Sequence, residues 1–272
     1  MVQLGSDLVD LTPLLAWVLL LCRFSGIFFA IPGIGTEEVP PTFRLFGAVS
    51  ISAALMFTGA TAPQPAHLGE LLLMIGSELT LGYLIGSMPA FVLGGLAVAG
   101  QVIAGAIGLG QANMIDRSLG ANVSVLARLD MMVATAVFLA IDGHHAILRS
   151  ACGVPGELGL GLWRADAGTA QLLTSQLVSS FELALRVSAP ILVTTLVTQF
   201  VLGLITKFVP QVNIFIISLP LSVIVGLYLM AYTFDGVARH TMHEFEQTEE
   251  LVGRLYPTLV RPQTQPTAPL QP

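Results

Sequence analysis

The stretch LTPLLAWVLLLCRFSGIFFAI, residues 11–31, holds one charged side chain, Arg23, before the chain breaks at Pro32-Gly33. An α-helix needs about 20 mostly apolar residues to cross roughly 30 Å of hydrocarbon at 1.5 Å per residue. The run therefore predicts a membrane helix, because a helix satisfies every backbone N–H and C=O within its own segment where no water can.

Similar runs follow. Leu45 to Ala62 is bounded by Pro63 and Pro65; Leu71 to Leu93 is interrupted by Glu78 and kinked or broken by Pro89; Gly94 to Leu109 is short and rich in Gly and Ala. Leu126 to Ile141 carries Asp130, and the pair Ala189 to Val209 and Ile214 to Phe234 is separated by the break Pro210-Gln211-Val212-Asn213. The expectation is an all-α membrane protein with about five to seven hydrophobic helices, some of them broken or hairpin helices.

Composition agrees. Of 272 residues 54% are hydrophobic and 10% charged, where a soluble domain carries about 25% charged residues, and the mean hydropathy is +0.81. A soluble enzyme and a disordered protein are excluded. A net charge of −6, with Lys207 as the one lysine, leaves no basic surface to track a phosphate backbone, so nucleic acid is excluded as a partner and lipid is the implied surroundings. Cys22 and Cys152 are too few for a disulfide framework, lack zinc-site spacing, and read as buried apolar filler.

The first residues carry Asp7 and Asp10 rather than bases, so no cleavable signal peptide is expected. Arg239, Arg254 and Arg261 follow the last apolar run, which favours an external N-terminus and a cytoplasmic tail. Gly143 to Thr174 reads as an excursion or short surface helix, Asp235 to Tyr256 as a polar helix, and Pro257 to Pro272, with five prolines, as disordered. The chain thus divides into 1–142, a connecting segment 143–174, a helical hairpin region 175–235 and a polar tail 236–272.

Arg23 and Glu78 lie well inside apolar runs, where a charge costs several kcal/mol unless paired, hydrated or turned toward protein. They read as a structural ion pair within or between subunits, as snorkelling side chains, or as parts of a proton or ion relay. Ala97, Gly100, Ala104 and Gly108 recur at spacings of 3 and 4, giving one nearly flat helix face for close packing or for the wall of a conduit. Beyond it Gln111, Asn113, Asp116, Arg117, Ser118, Gly120 and Asn122 interrupt the pattern, as a surface hairpin or as irregular backbone buried in protein or lining water. The adjacent His144 and His145 point about 100° apart on a helix and are poorly placed to share a metal. No catalytic, cofactor-binding or metal-binding constellation is found.

Several of these stretches resemble one family in order along the chain. The run Arg23-Phe24-Ser25-Gly26-Ile27-Phe28-Phe29-Ala30-Ile31-Pro32, then Val39-Pro40 and Arg44, is similar to the opening of the FliR family of flagellar biosynthesis proteins. So are Glu78 with Gly82 and Gly86, Ala99-Gly100-Gln101 leading to Gly108-Leu109, Phe138-Leu139 before Gly143-His144, and Pro210-Gln211-Val212-Asn213-Ile214-Phe215. The chain departs from the family at Gln101, where an acid is usual, and at Asp116-Arg117 in place of Asp-Pro.

The resemblance implies a non-enzymatic subunit of the flagellar type III export gate in the bacterial inner membrane, at the flagellar basal body. It implies assembly with FliP and FliQ homologues beside FlhA and FlhB, with unfolded flagellar proteins as cargo. By the same resemblance the N-terminal region is FliP-like, the C-terminal hairpin FliQ-like, and 143–174 the junction. It places a channel plug on Gly108, Gly110, Gln111, Asn113, Met114, Ile115, Asp116, Gly120 and Asn122, with Met114 and Ile115 as apolar stoppers. Arg23, Glu78, Gln101, Ala97, Gly100 and Ala104 are then intramembrane polar or packing residues, and Pro210, Gln211 and Asn213 a helix break. The alternatives are an injectisome gate subunit, a small-molecule or ion transporter, and a passive scaffold; a transporter with repeated halves would match the Pro210 break earlier in the chain, and no clear counterpart is present.

Overall fold

A computed structural model describes residues 12–35, 39–57, 59, 62–108, 125–152, 159–208 and 214–255. Among the described residues the secondary structure is helical: α1 (Thr12–Ala30), α2 (Pro41–Met56), α3 (Leu68–Ala106), α4 (Val125–Ala140), α5 (Gly143–Cys152), α6 (Ala167–Phe208) and α7 (Ile214–Leu255). By length and apolar composition α1, α3 and Ala167–Ile205 of α6 can each cross a membrane. Two bent pairs, Ala127–Ala140 with Gly143–Cys152 and Pro220–Tyr232 with Gly236–Phe245, raise the number of candidate spans to five.

The ends of these helices follow from local chemistry. α1 stops in a turn where Gly33 takes φ 82°, a conformation glycine adopts without steric cost. α2 opens with proline in its first turn, where the missing N–H would have had no helical partner. Asp166 caps α6: its Oδ1 accepts from the Thr169 N–H at 2.8 Å and from the Thr169 hydroxyl at 2.9 Å.

Several expected boundaries move. The expected runs Leu71 to Leu93 and Gly94 to Leu109 are not separate: a single 39-residue helix, Leu68–Ala106, runs through Pro89 and across the expected boundary. Proline withdraws one N–H, here the donor due to the Ile85 carbonyl, and the loss of one bond does not end a helix held on either side by buried packing. The run expected to begin at Ala189 belongs to a 42-residue helix from Ala167 through Pro190; its first half carries Ser, Thr, Gln, Glu182 and Arg186, which lower hydropathy without preventing a helix. The apolar run from Ile214 and the polar segment after it are likewise one helix. Within 143–174, residues Gly143–Cys152 are α5, bent 59° from α4, and α2 ends at Met56, before the expected Ala62. His144 and His145 do not diverge; their ring centroids lie 4.1 Å apart, because side-chain torsions can swing two rings together although their Cβ directions differ.

The described chain forms two compact units, neither a continuous stretch. The first contains α1, α2, α3 to Met88, Gly143–Leu173 and the end of α7, residues 248–255; the second contains α3 from Pro89, α4, and Thr174–Gln247. The first unit buries Leu19, Leu20, Phe24, Ile27, Ile31, Leu81 and Ile85 almost completely. The second is built on Leu96, Ile103, Phe138, Leu183 and Ile191, with the Phe138 and Phe245 rings 5.0 Å apart.

Candidate functional site

In the first unit α1 and α3 approach so closely that side chains on one helix would overlap backbone on the other. A Cβ on Gly82 would collide with the Arg23 carbonyl, and one on Gly86 would stand 2.7 Å from the Ile27 oxygen. Gly26 of α1 is equally tight against the Leu79 carbonyl of α3. Small residues permit such contact, and in lipid close van der Waals packing is a main source of helix association.

That approach sets the register in which Arg23 and Glu78 meet. Arg23 Nε donates to Glu78 Oε2 at 2.6 Å, and Nη2 donates to Oε1 at 3.1 Å. Both side chains are buried, with 1% and 0% exposure. The Gly161 N–H, beyond α5, also donates to Glu78 Oε1, at 2.7 Å. One carboxylate therefore ties α1, α3 and the segment before α6 through a two-point guanidinium contact and a backbone donor, the strong charge-assisted type of hydrogen bond. Gly161 has φ 72° and a Cβ there would overlap Met74, so its position demands glycine twice over. Charge in an apolar run marked Arg23 and Glu78, with an ion pair among the readings it left open; no sequence signal points to Gly161.

In the second unit the Gly- and Ala-rich half of α3 meets two helices. Gly95 lies against the Ser180 carbonyl of α6, and a Cβ on Gly100 would stand 2.6 Å from the Ala127 Cα of α4 and 2.7 Å from the Asp130 carboxylate. Ala104 is buried with Gly100, whereas Ala97 is half-buried and Gln101 exposed. At the end of α3 the Ala106 carbonyl, which no helical N–H reaches, accepts from Gln199 Nε2 at 3.3 Å. Gly108 follows with φ 86°. Gly110, Gln111, Asn113, Met114, Ile115, Asp116, Gly120 and Asn122 lie outside the described residues, as do Pro210, Gln211 and Asn213.

The helices leave much apolar surface uncovered. In α6 only 22% of the most apolar window is buried, and Phe181, Leu185, Val193, Leu196, Phe200 and Phe208 are exposed. A surface of this kind requires lipid or other membrane helices around it.

Residues 14–248 match the family model described as bacterial export proteins, family 1. Over 226 residues the chain is 29% identical to the flagellar biosynthetic protein FliR of Caulobacter vibrioides, covering 81% of this chain and 88% of that one. It is 27% identical to the protein of the same name from Aquifex aeolicus, over 82% of this chain and 87% of the relative. Identity to the Yop proteins translocation protein T of Yersinia pestis is 26%, over 84% of this chain and 88% of that protein.

Proposed function

The chain belongs to the bacterial export proteins, family 1, and from that premise we propose that it is a membrane subunit of the flagellar type III protein export gate, needed to assemble the flagellum. The observation that carries this reading is the family match across nearly all of the chain, together with flagellar relatives that align over four-fifths of it. The uncovered apolar faces and glycine-lined helix contacts suit a protein that completes its packing against other membrane helices.

In finer detail, the chain sits in the inner membrane at the basal body, performs no covalent chemistry, and packs with FliP and FliQ homologues beside FlhA and FlhB. Unfolded flagellar proteins are its cargo. Residues 1–142 pack like FliP and 175–235 like FliQ, with 143–174 between them. Residues Gly108 to Asn122 plug the channel until export begins, and Pro210, Gln211 and Asn213 form a break between α6 and α7.

In-frame removal of the coding sequence tests the reading. The expected result is loss of filaments, of swimming, and of flagellar proteins in the medium, all restored by the intact gene supplied in trans. Normal swimming with loss of injected effector proteins would assign the chain to an injectisome instead. A second arm deletes residues 110–120, which should make the membrane leaky to small solutes; unchanged permeability removes the plug assignment.

A further inference from the structure

The second unit contains an acid that no charged group among the described residues answers. Asp130 of α4 lies on a half-open cavity whose other walls include Leu96 and Ile103 of α3, Val133 of α4, Ile191 of α6 and Phe234 of α7. Its carboxylate rests over Gly100, where any side chain would displace it. Asp130 makes no hydrogen bond or ion pair with any described residue. Among the described residues the lining has one other polar side chain, Thr241, and its hydroxyl donates to the Val237 carbonyl at 2.8 Å.

Asp130 is half-buried, and a carboxylate set against apolar walls at the depth of candidate spans is costly unless paired or hydrated. Such a residue persists when a counter-charge arrives on assembly. The size of the cavity limits what that counter-charge is. The cavity volume is about 30 Å³, enough for about two waters at roughly 10–15 Å³ each and far below the roughly 300–1,000 Å³ of a small-molecule pocket. An ammonium group is about the size of one water, and the methylene stem of a lysine lies comfortably along aliphatic walls.

We propose that Asp130 is the docking point for a lysine ammonium that reaches in from a neighbouring membrane subunit, with its stem on the apolar lining. The proposal rests on the chain's being one subunit of a larger gate. It differs from the pair in the first unit, where both charges belong to the same chain.

The test uses the whole complex, extracted in detergent, and cells carrying the intact apparatus. Asp130→Asn should lower the yield of assembled complex about tenfold, with the chain still present in the membrane, and Asp130→Lys should abolish assembly and swimming. Each lysine and arginine of the co-purifying subunits is then changed in turn to glutamate in the Asp130→Lys strain. One such change should restore complex and swimming, and only in that strain. Wild-type assembly of Asp130→Asn overturns the proposal, because a neutral group then suffices. Rescue only from within this chain, for example by Arg117→Glu, overturns it too, as does the absence of rescue from every partner base. If cells lacking the chain swim normally, the gate reading itself has failed; if they do not swim and no charge swap rescues, only the docking point has.

Discussion

α3 and α6 are nearly equally apolar, yet 56% of the most apolar stretch of the first is buried and 22% of that of the second. The difference lies in what each helix offers a neighbour. α3 presents Gly82, Gly86, Gly95 and Gly100 to other helices of its own chain, and backbone meets backbone at each. α6 presents Leu185, Leu196, Phe200 and Phe208 outward, and a Cβ on Gly203 would meet nothing within 4 Å. Hydropathy measures how strongly a segment avoids water; whether protein or something else takes water's place depends on the shape of the face.

The sharpest way to break the comparison is at Glu78. Glu78→Ala leaves Arg23 buried and uncompensated, a defect worth about 3–5 kcal/mol, and should nearly eliminate the chain from membranes and stop swimming. Glu78→Gln keeps an oxygen for the Gly161 N–H and should be measurably milder by both readouts; equal, wild-type behaviour of the two would show that the pair does not hold α3 in place.

Glycine gives a smaller contrast within the same helix. Gly82→Ala must push α1 away from α3 and should cost about 1–3 kcal/mol in detergent unfolding. Gly94→Ala meets open space and should be neutral or stabilising by up to about 1 kcal/mol. Equal effects at the two positions would mean that backbone approach is not what buries α3.

The mildest change concerns α6. Phe200 is 68% exposed, so Phe200→Ser should alter the stability of the isolated chain by no more than about 0.5 kcal/mol while reducing co-purification of other gate subunits several-fold. Undiminished co-purification would assign that face to lipid.

The site was legible only in part. Arg23 and Glu78 stand out because a charge in an apolar run is costly wherever it falls, and Asp130 carries the same mark. That two of them pair across 55 positions while the third faces a cavity follows from helix register, which Gly26, Gly82 and Gly100 set through contacts far apart in the chain. The boundaries expected at Leu93, Ala189 and Phe234 fall inside longer helices for a related reason: a hydropathy pattern records a change in side-chain polarity, whereas a helix continues as long as its backbone hydrogen bonds do.

The amino-acid sequence alone determined that this protein is a bundle of apolar helices, where charges lie out of place, and which family it resembles, because solvent preference and motif order are properties of the linear chain. Tertiary structure alone decided which reading of Arg23 and Glu78 holds and that Gly161 joins them, that α3 is the more buried and α6 the more open, and that Asp130 faces a cavity with no partner among the described residues. Those outcomes depend on which backbones can touch, and contact between residues distant in sequence exists only once the helices have packed.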